Sequence, residues 1–304
     1  MDVCLLGCGG MVPLPNRSLT ALLVRQNGKM ILIDCGEGTQ VSIRKTGWGF
    51  KSIEAVFFTH YHADHIAGLP GFLLTLGNSG RKEPLTIFGP PPLEFVIKSL
   101  MVIAPELPYE IRLVEFSPQT AQNIEIGEVV VETLPMEHSI PCLAYRLMIK
   151  RAGKFDAVKA KKLDIPLNLW NRLQKGETIE YKGTRYEPDM VLGKERKGMK
   201  ITYCTDSRPT MQFAEFAGES DLLICEGMYG DENLLPKAKE RMHMTFSEAA
   251  EMAERSRSKE LWLTHYSPSV SDPDQWISQI KSIFNNTVTG HDLMIKQINF
   301  TDET

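Results

Sequence analysis

Long apolar runs are absent from this sequence. No stretch approaches the roughly 18 apolar residues that a membrane-spanning helix needs, and Met1-Asp2-Val3-Cys4 lacks the basic-then-apolar pattern of a secretory signal. Paired cysteines are missing too: the six cysteines contain no Cys-x-x-Cys spacing, which argues against a zinc ribbon or a thioredoxin-like motif. We therefore expect a cytoplasmic protein whose cysteines are reduced and mostly buried.

An overall excess of positive charge, typical of uniformly basic nucleic-acid binders, is also missing. The net charge is −4 over 304 residues. The charge is unevenly distributed, because residues 146–200 hold 15 Lys/Arg and 7 Asp/Glu, a local charge of +8 that leaves −12 for the remainder. This asymmetry indicates either a segment that meets a polyanion or a solvated surface with a chance excess of lysine.

Apolar runs separated by turn residues such as Asn27-Gly28 predict strands in both halves of the chain. They cover residues 3–6, 19–25, 29–34, 53–59, 85–88, 111–116, 128–134, 142–150, 200–204, 221–225 and 261–264. Helical patterns cover 66–76, 94–103, 246–255 and 273–284. Strands and helices mixed in this way indicate an α/β protein in which two mixed sheets pack face to face with helices outside, an αββα four-layer sandwich.

Residues 151–198 depart from this pattern. Hydrophobic periodicity fades there, charge rises, and Gly and Pro recur, although short helices at 156–163 and 167–173 are compatible with the sequence. The stretch is too long for an ordinary connection. We predict one domain over residues 1–304 that carries a functional insertion at 151–198.

Four potential metal ligands lie close together, directly after a predicted strand: His60, His62, Asp64 and His65. Imidazole nitrogens and carboxylate oxygens are donors that Zn²⁺ binds at about 2.0–2.2 Å. The alternative is a polar surface loop, but the whole chain has only seven histidines, so three in six residues are improbable by chance. Because these polar groups are costly to desolvate without a cation, the cluster predicts a metal site.

Three further predicted strands are each followed by one more candidate ligand, namely His138, Asp206 and His265. A lone histidine at a strand end is usually structural, but the repetition favours additional ligands and hence a site for two ions. Zinc is the expected metal, although manganese and iron also suit histidine and aspartate ligands.

The motif His-x-His-x-Asp-His at 60–65 resembles the signature of the metallo-β-lactamase superfamily. Within that superfamily the chain resembles the ribonuclease Z (tRNase Z) family, endonucleases that process the 3′ end of tRNA. The resemblance rests on the blocks 34–40, 59–71, 206–209 and 263–268, and their order and spacing agree over nearly the full chain. The insertion at 151–198 falls where that family carries an arm that grips tRNA.

The resemblance implies a role for each candidate ligand. One zinc ion would be held by His60, His62 and His138, the other by Asp64, His65 and His265, with Asp206 and a hydroxide bridging the two. Asp64 would also orient the nucleophile or accept its proton. His243 would act near the scissile phosphate as a general acid or transition-state contact.

The resemblance also implies a substrate and an assembly. The substrate would be precursor tRNA, cut to leave a 3′-hydroxyl on the tRNA body and a 5′-phosphate on the trailer, and the protein would be a homodimer. Basic residues of the arm would neutralise tRNA phosphates, so that affinity falls steeply with salt. The candidate RNA-binding residues are Lys154, Lys161, Lys162 and Arg172.

Several positions differ from the family pattern. The arm has Leu167-Asn168-Leu169-Trp170 where a Gly-Pro pair is usual, and His243-Met244-Thr245 replaces His-Ser-Thr. A family His-Glu-Ala-Thr becomes Cys225-Glu226-Gly227-Met228, and the loop at 13–18 keeps only Pro13 and Arg17 of its motif. These departures leave open a hydrolase of a smaller phosphodiester or another ester. A non-catalytic member would be expected to lack ligands, and all seven candidates are present.

Overall fold

A computed structural model describes residues 1–117 and 120–301, which contain sixteen strands. In chain order they are β1 Asp2–Gly7, β2 Ala21–Gln26, β3 Lys29–Ile33, β4 Ile53–Phe57, β5 Leu85–Gly89, β6 Ile111–Glu115, β7 Asn123–Ile126, β8 Val129–Met136, β9 Cys142–Arg151, β10 Ile179–Tyr181, β11 Thr184–Tyr186, β12 Arg196–Cys204, β13 Leu222–Glu226, β14 Leu261–Thr264, β15 Thr287–Thr289 and β16 Met294–Gln297.

The same described ranges contain ten α-helices. They are α1 Thr39–Thr46, α2 Ala63–Ile66, α3 Leu69–Asn78, α4 Leu93–Met101, α5 Ala157–Lys162, α6 Leu167–Gln174, α7 Met211–Phe216, α8 Leu235–Glu240, α9 Phe246–Arg255 and α10 Ile277–Ile283. Short 3-10 turns cover Pro188–Met190, Glu232–Leu234 and Pro273–Trp276. Among these helices none has the length and apolarity to cross a membrane.

Within the described residues, fourteen strands form two seven-stranded mixed sheets. The first has the order β16-β1-β2-β3-β4-β5-β6, antiparallel from β16 to β3 and parallel from β3 to β6. The second has the order β15-β14-β13-β12-β9-β8-β7, parallel from β15 to β12 and antiparallel from β9 to β7. Helices flank both sheets. The predicted α/β αββα architecture is therefore confirmed.

The helices pack against the sheets through apolar side chains that recur with the period of an α-helix. In α3 the buried residues Leu69, Phe72, Leu73 and Leu76 follow the i, i+3, i+4, i+7 pattern and pack into the core of the first sheet. Each fully buried side chain of this size stabilises the fold by about 1.5–3 kcal/mol. All six cysteines are buried and free, as expected.

The predicted helix at 66–76 is wrong in its boundaries. Two helices, α2 and α3, occupy the region, and Gly68 lies between them. The Gly68 N–H donates to the Cys35 carbonyl at 3.0 Å, and a Cβ at Gly68 would lie 2.0 Å from the Gly36 oxygen. This approach between distant segments divides the helix. It cannot be read from local periodicity.

A second compact unit comprises Ile149–Met199 together with residues 299–301. Its small core comes from α5, α6, β10, the segment between the two helices and the residue after the 3-10 turn Pro188–Met190, and contains Ala160, Ile165, Leu169, Leu173, Ile179 and Val191. The Gly193 N–H donates to the Lys154 carbonyl at 2.9 Å, and Phe155 bridges Leu192, so the chain enters and leaves this region side by side. The single domain and its RNA-binding arm stay predictions.

Candidate metal centre

The ends of several strands place polar side chains together. His60 and His62 follow β4, His138 follows β8, Asp206 follows β12 and His265 follows β14. The strands β12 and β14 are both parallel to β13 and end at the same edge of the second sheet, which brings Asp206 and His265 within reach of each other. The structure thus brings together all seven residues that the sequence proposed as ligands.

The first group consists of His60, His62, His138 and Asp206. Its donor atoms converge: the Nδ1 of His62 lies 3.0 Å from the Nε2 of His60 and 3.3 Å from the Nε2 of His138. The Asp206 Oδ2 lies 3.6 Å from the His60 nitrogen and 3.9 Å from that of His138. Donors bound at about 2.0–2.1 Å to one tetrahedral ion would stand about 3.3 Å apart, so the set fits a zinc-sized cation.

The second group consists of Asp64, His65 and His265. The two Nε2 atoms are 3.2 Å apart, and the Asp64 Oδ2 lies 3.6 Å from that of His65 and 3.4 Å from that of His265. The lone pairs of two imidazole nitrogens repel each other at this distance unless a shared proton or a cation lies between them. The donor set therefore fits a second ion.

Asp206 joins the two groups. Its Oδ2 faces the first group, whereas its Oδ1 lies 3.2 Å from the His65 Nε2 and 3.0 Å from the His265 Nε2. This Oδ1 is buried and accepts no hydrogen bond of regular geometry from the described residues. A buried carboxylate oxygen without a regular donor is costly, and a cation would satisfy it. One carboxylate is thus placed to serve two ions.

Residues behind the ligands fix their orientation. The Asp34 Oδ2 accepts from the His65 Nδ1 at 2.9 Å, which leaves the Nε2 free for a metal. Thr59 donates to the same carboxylate and accepts from the His60 Nδ1 at 3.0 Å. Asp34, Asp206 and His265 all adopt positive φ, at 63°, 39° and 59°, an arrangement that costs energy and recurs at functional sites. The sequence pointed to the block around Asp34 but not to this role.

Burial and charge set the protonation of the ligands. Burial lowers the pKa of His60, His62 and His138, which keeps these imidazoles neutral as a metal requires. Burial alone would raise the pKa of Asp206, but the imidazoles of His265 and His65, which face its Oδ1, hold it well below its usual range. The carboxylate shared by the two groups is therefore ionised.

His243 lies beside both groups and is paired with an acid. Its ring centroid is 5.5 Å from that of His138 and 5.6 Å from that of His265. Its Nδ1 lies 3.1 Å from the Oε2 of Glu226, a fully buried carboxylate at the end of β13. Although burial opposes protonation, Glu226 raises the pKa of His243 to about 9. Glu226 was not identified as a functional residue from the sequence. An acidic residue at the end of an apolar strand could have indicated it.

A cavity of about 560 Å³ opens onto the centre. His62, His138 and His243 form one part of its wall, and Tyr229, Lys237 and Arg241 form another. The Lys237 ammonium lies 5.3 Å from the centroid of the Tyr229 ring. Glu240 also lines the cavity, with its Oε1 3.9 Å from the Arg241 Nε, so one net positive charge remains on this wall. Positive charge beside candidate metal ligands suits an anionic substrate.

The four candidate RNA-binding residues lie in the second unit and are exposed. Lys161 and Lys162 end α5, and no ion pair to Lys154, Lys161 or Lys162 is found in the part of the chain that the structure describes. Arg172 differs, because its Nε lies 2.7 Å from the Oε2 of Glu177. Its charge is therefore partly offset, and it is the weakest of the four candidates.

Two mixed sheets flanked by helices, with a histidine and aspartate centre at their strand ends, define a metal-dependent hydrolase of the metallo-β-lactamase fold. In agreement, the chain resembles the human short-form tRNase Z structure, with a TM-score of 0.73 and 25% identity over 99% of this chain and 100% of that one. The metallo-β-lactamase fold protein YhfI from Bacillus subtilis shares the fold, with a TM-score of 0.69 and 20% identity over 97% and 99%.

Sequence comparison identifies the family. Ribonuclease Z of Clostridium acetobutylicum is 53% identical over 99% of both chains, and that of Clostridium kluyveri is 52% identical over 99% of this chain and 100% of its own. A family model described as anti-Pycsar protein Apyc1 matches residues 1–152. The match to the Clostridium proteins extends over the second half and the insertion as well. The chain belongs to the ribonuclease Z family.

Proposed function

We propose that this protein is a dinuclear zinc endonuclease that removes 3′ trailers from precursor tRNA. The observation that carries the proposal is the pair of donor groups sharing Asp206 below an open cavity. The similarity to ribonuclease Z over the full chain supports an RNA substrate. Zinc is the metal that the donor set and spacing favour, and metal analysis of the purified protein checks both identity and number.

Bound cations would supply a hydroxide nucleophile at neutral pH and offset negative charge on the attacked phosphate. The Asp64 Oδ2 accepts from the Met11 N–H at 2.7 Å and is placed to orient a water or accept its proton. The Nδ1 of His243 is held by Glu226, so its Nε2 is the nitrogen available to donate a proton to the leaving 3′ oxygen. General acid catalysis of this kind contributes about 10²–10⁴-fold to the rate.

Deleting the predicted arm tests whether the substrate is a precursor tRNA or a smaller phosphodiester. A backbone hydrogen bond joins Lys154 and Gly193, so these two residues lie close together in space. A short glycine linker can therefore replace residues 155–192 without moving either of them. We expect kcat/KM for a precursor tRNA to fall about 10²-fold or more, since phosphate contacts are lost. Hydrolysis of bis-(4-nitrophenyl) phosphate should stay within about two-fold, since the metal centre lies in the other unit.

The same assay decides between the proposed function and its alternative. If the unaltered protein cleaves the small ester and leaves precursor tRNA intact, it is a hydrolase of a smaller phosphodiester. An equal loss of both activities in the deletion variant would contradict a separate RNA-binding role for the arm. Metal content and melting temperature of the variant show whether the remaining body is still folded.

The rim of the cavity gives a second test. We expect the double variant K237Q/R241Q to weaken binding of precursor tRNA and to flatten the dependence of log K on log salt by about 1.5, since each phosphate contact contributes about 0.7–0.9. K239Q is the matched control, because Lys239 is exposed on the same helix but does not line the cavity. An unchanged salt slope in the double variant would exclude these side chains from phosphate binding.

The homodimeric assembly rests on the family resemblance. We infer a cytoplasmic homodimer, and sedimentation of the metal-loaded protein measures the assembly directly.

A further inference from the structure

Arg208 lies where three loops of the centre meet. It follows the bridging residue Asp206 by two positions, and its backbone N–H donates to the Glu137 carbonyl at 3.0 Å. Glu137 directly precedes His138, so this bond connects the Asp206 loop with the loop of a candidate ligand of the first group. The side chain of Arg208 extends from this junction towards a third loop.

The guanidinium of Arg208 binds two partners in the third loop. It donates to the backbone carbonyl of His243 and pairs with both carboxylate oxygens of Glu248, at 3.0 Å between Nη1 and Oε2. The side chains are only 12% and 16% exposed, which makes this charged, bidentate contact stronger than a surface ion pair.

Glu248 links Arg208 to the N-terminus of α9. Its Oε2 accepts from the Thr245 N–H at 3.0 Å, while the Thr245 hydroxyl accepts from the Glu248 N–H at 3.3 Å, a capping box. On the other side, the His243 N–H donates to the Ala238 carbonyl at 2.8 Å. The backbone of His243 is therefore held on both sides.

We propose that Arg208 is a positioning residue for His243, which fixes its imidazole at the distance and angle that proton donation to the leaving oxygen requires. The inference rests on the proposed function, because it needs a substrate whose leaving group His243 protonates. The competing explanation is a partly buried ion pair that contributes only to stability. The chain contains a matched case, since Arg146 pairs with Glu132 and donates to the Phe216 carbonyl away from the centre.

A double-mutant cycle in the metal-loaded full chain separates these explanations. We expect R208M to lower kcat on precursor tRNA about 10–100-fold with KM within about two-fold, because small misplacements of a reacting group cost this much. In the H243Q background the same substitution should change kcat less than about three-fold, since the group that it positions is already gone. R146M should lower the melting temperature without changing kcat.

A conservative variant, R208K, adds a second test of the same proposal. R208K can serve the His243 carbonyl or one oxygen of Glu248 but not all three acceptors, so we expect partial recovery of kcat relative to R208M. If R208M does not fold, R208K takes its place in the cycle. Equal losses from the Arg208 substitution with and without His243, or loss of bound metal in the Arg208 variant, would overturn the proposal. An inactive parent protein would instead contradict the proposed function.

Discussion

Replacing Asp206 with asparagine is expected to lower kcat/KM for precursor tRNA by at least about 10³-fold, equivalent to about 4 kcal/mol of transition-state stabilisation. One carboxylate faces both donor groups, with separate oxygens 3.6 Å from the His60 Nε2 and 3.0 Å from the His265 Nε2. An amide offers one oxygen only, and its N–H groups would point at the neighbouring imidazoles. Metal analysis should show fewer ions per chain than in the parent protein, together with the kinetic loss.

A matched control for this change is D221N. Asp221 is also largely buried and pairs with Lys259 at 2.7 Å, but it lies outside both donor groups. D221N should lower the melting temperature and leave metal content and kcat unchanged. Full metal occupancy with near-normal cleavage in D206N would show that the two groups do not share this carboxylate.

Replacing His243 with glutamine should lower kcat about 10²–10⁴-fold while the metal content stays the same. Glu226 raises the pKa of His243 and so favours the protonated imidazole, whereas bound cations nearby would lower that pKa. A general acid works only while protonated, so activity should fall as pH rises through its pKa. In E226Q the counter-charge is lost, and this alkaline fall in kcat should begin at lower pH.

The pH profile of H243Q is the discriminating measurement. Its residual activity should lack the alkaline fall, because the group responsible is gone. An alkaline fall of unchanged position in both H243Q and E226Q would assign the titration to another group. It would leave His243 as a contact to the substrate, the other role that the family resemblance implies.

The clustering of the seven candidate ligands was largely predictable because their chemistry is concentrated in the sequence. Four candidate ligands stand within six residues, and three more follow runs of apolar residues that are visibly strands. The contacts of His243 and Arg208 were not predictable in the same way. Glu226 and His243 meet across 17 positions, and Arg208 and Glu248 across 40, through pairings that depend on how strand ends and helix starts are arranged in space.

The fold, too, was predictable where it depends on local sequence patterns and not where it depends on contacts between distant residues. Strand and helix periodicity indicated the two-sheet architecture, which depends on local apolar patterns repeated along the chain. The break at Gly68 depends on a carbonyl 32 positions earlier, and the six-residue helix α8, which places Lys237 at the cavity, is too short to give a periodic pattern. The pairing of Arg172 with Glu177 was likewise invisible to a count of charges.

The spread of the ligands along the chain has a consequence for synthesis. The first ligand is residue 60 and the last is residue 265, and the bridging aspartate at 206 comes late as well. The first group lacks Asp206 until about two-thirds of the chain has been translated, and the second group lacks His265 until nearly nine-tenths of the chain has been translated. Any activity that needs both groups therefore cannot begin before most of the chain has been made.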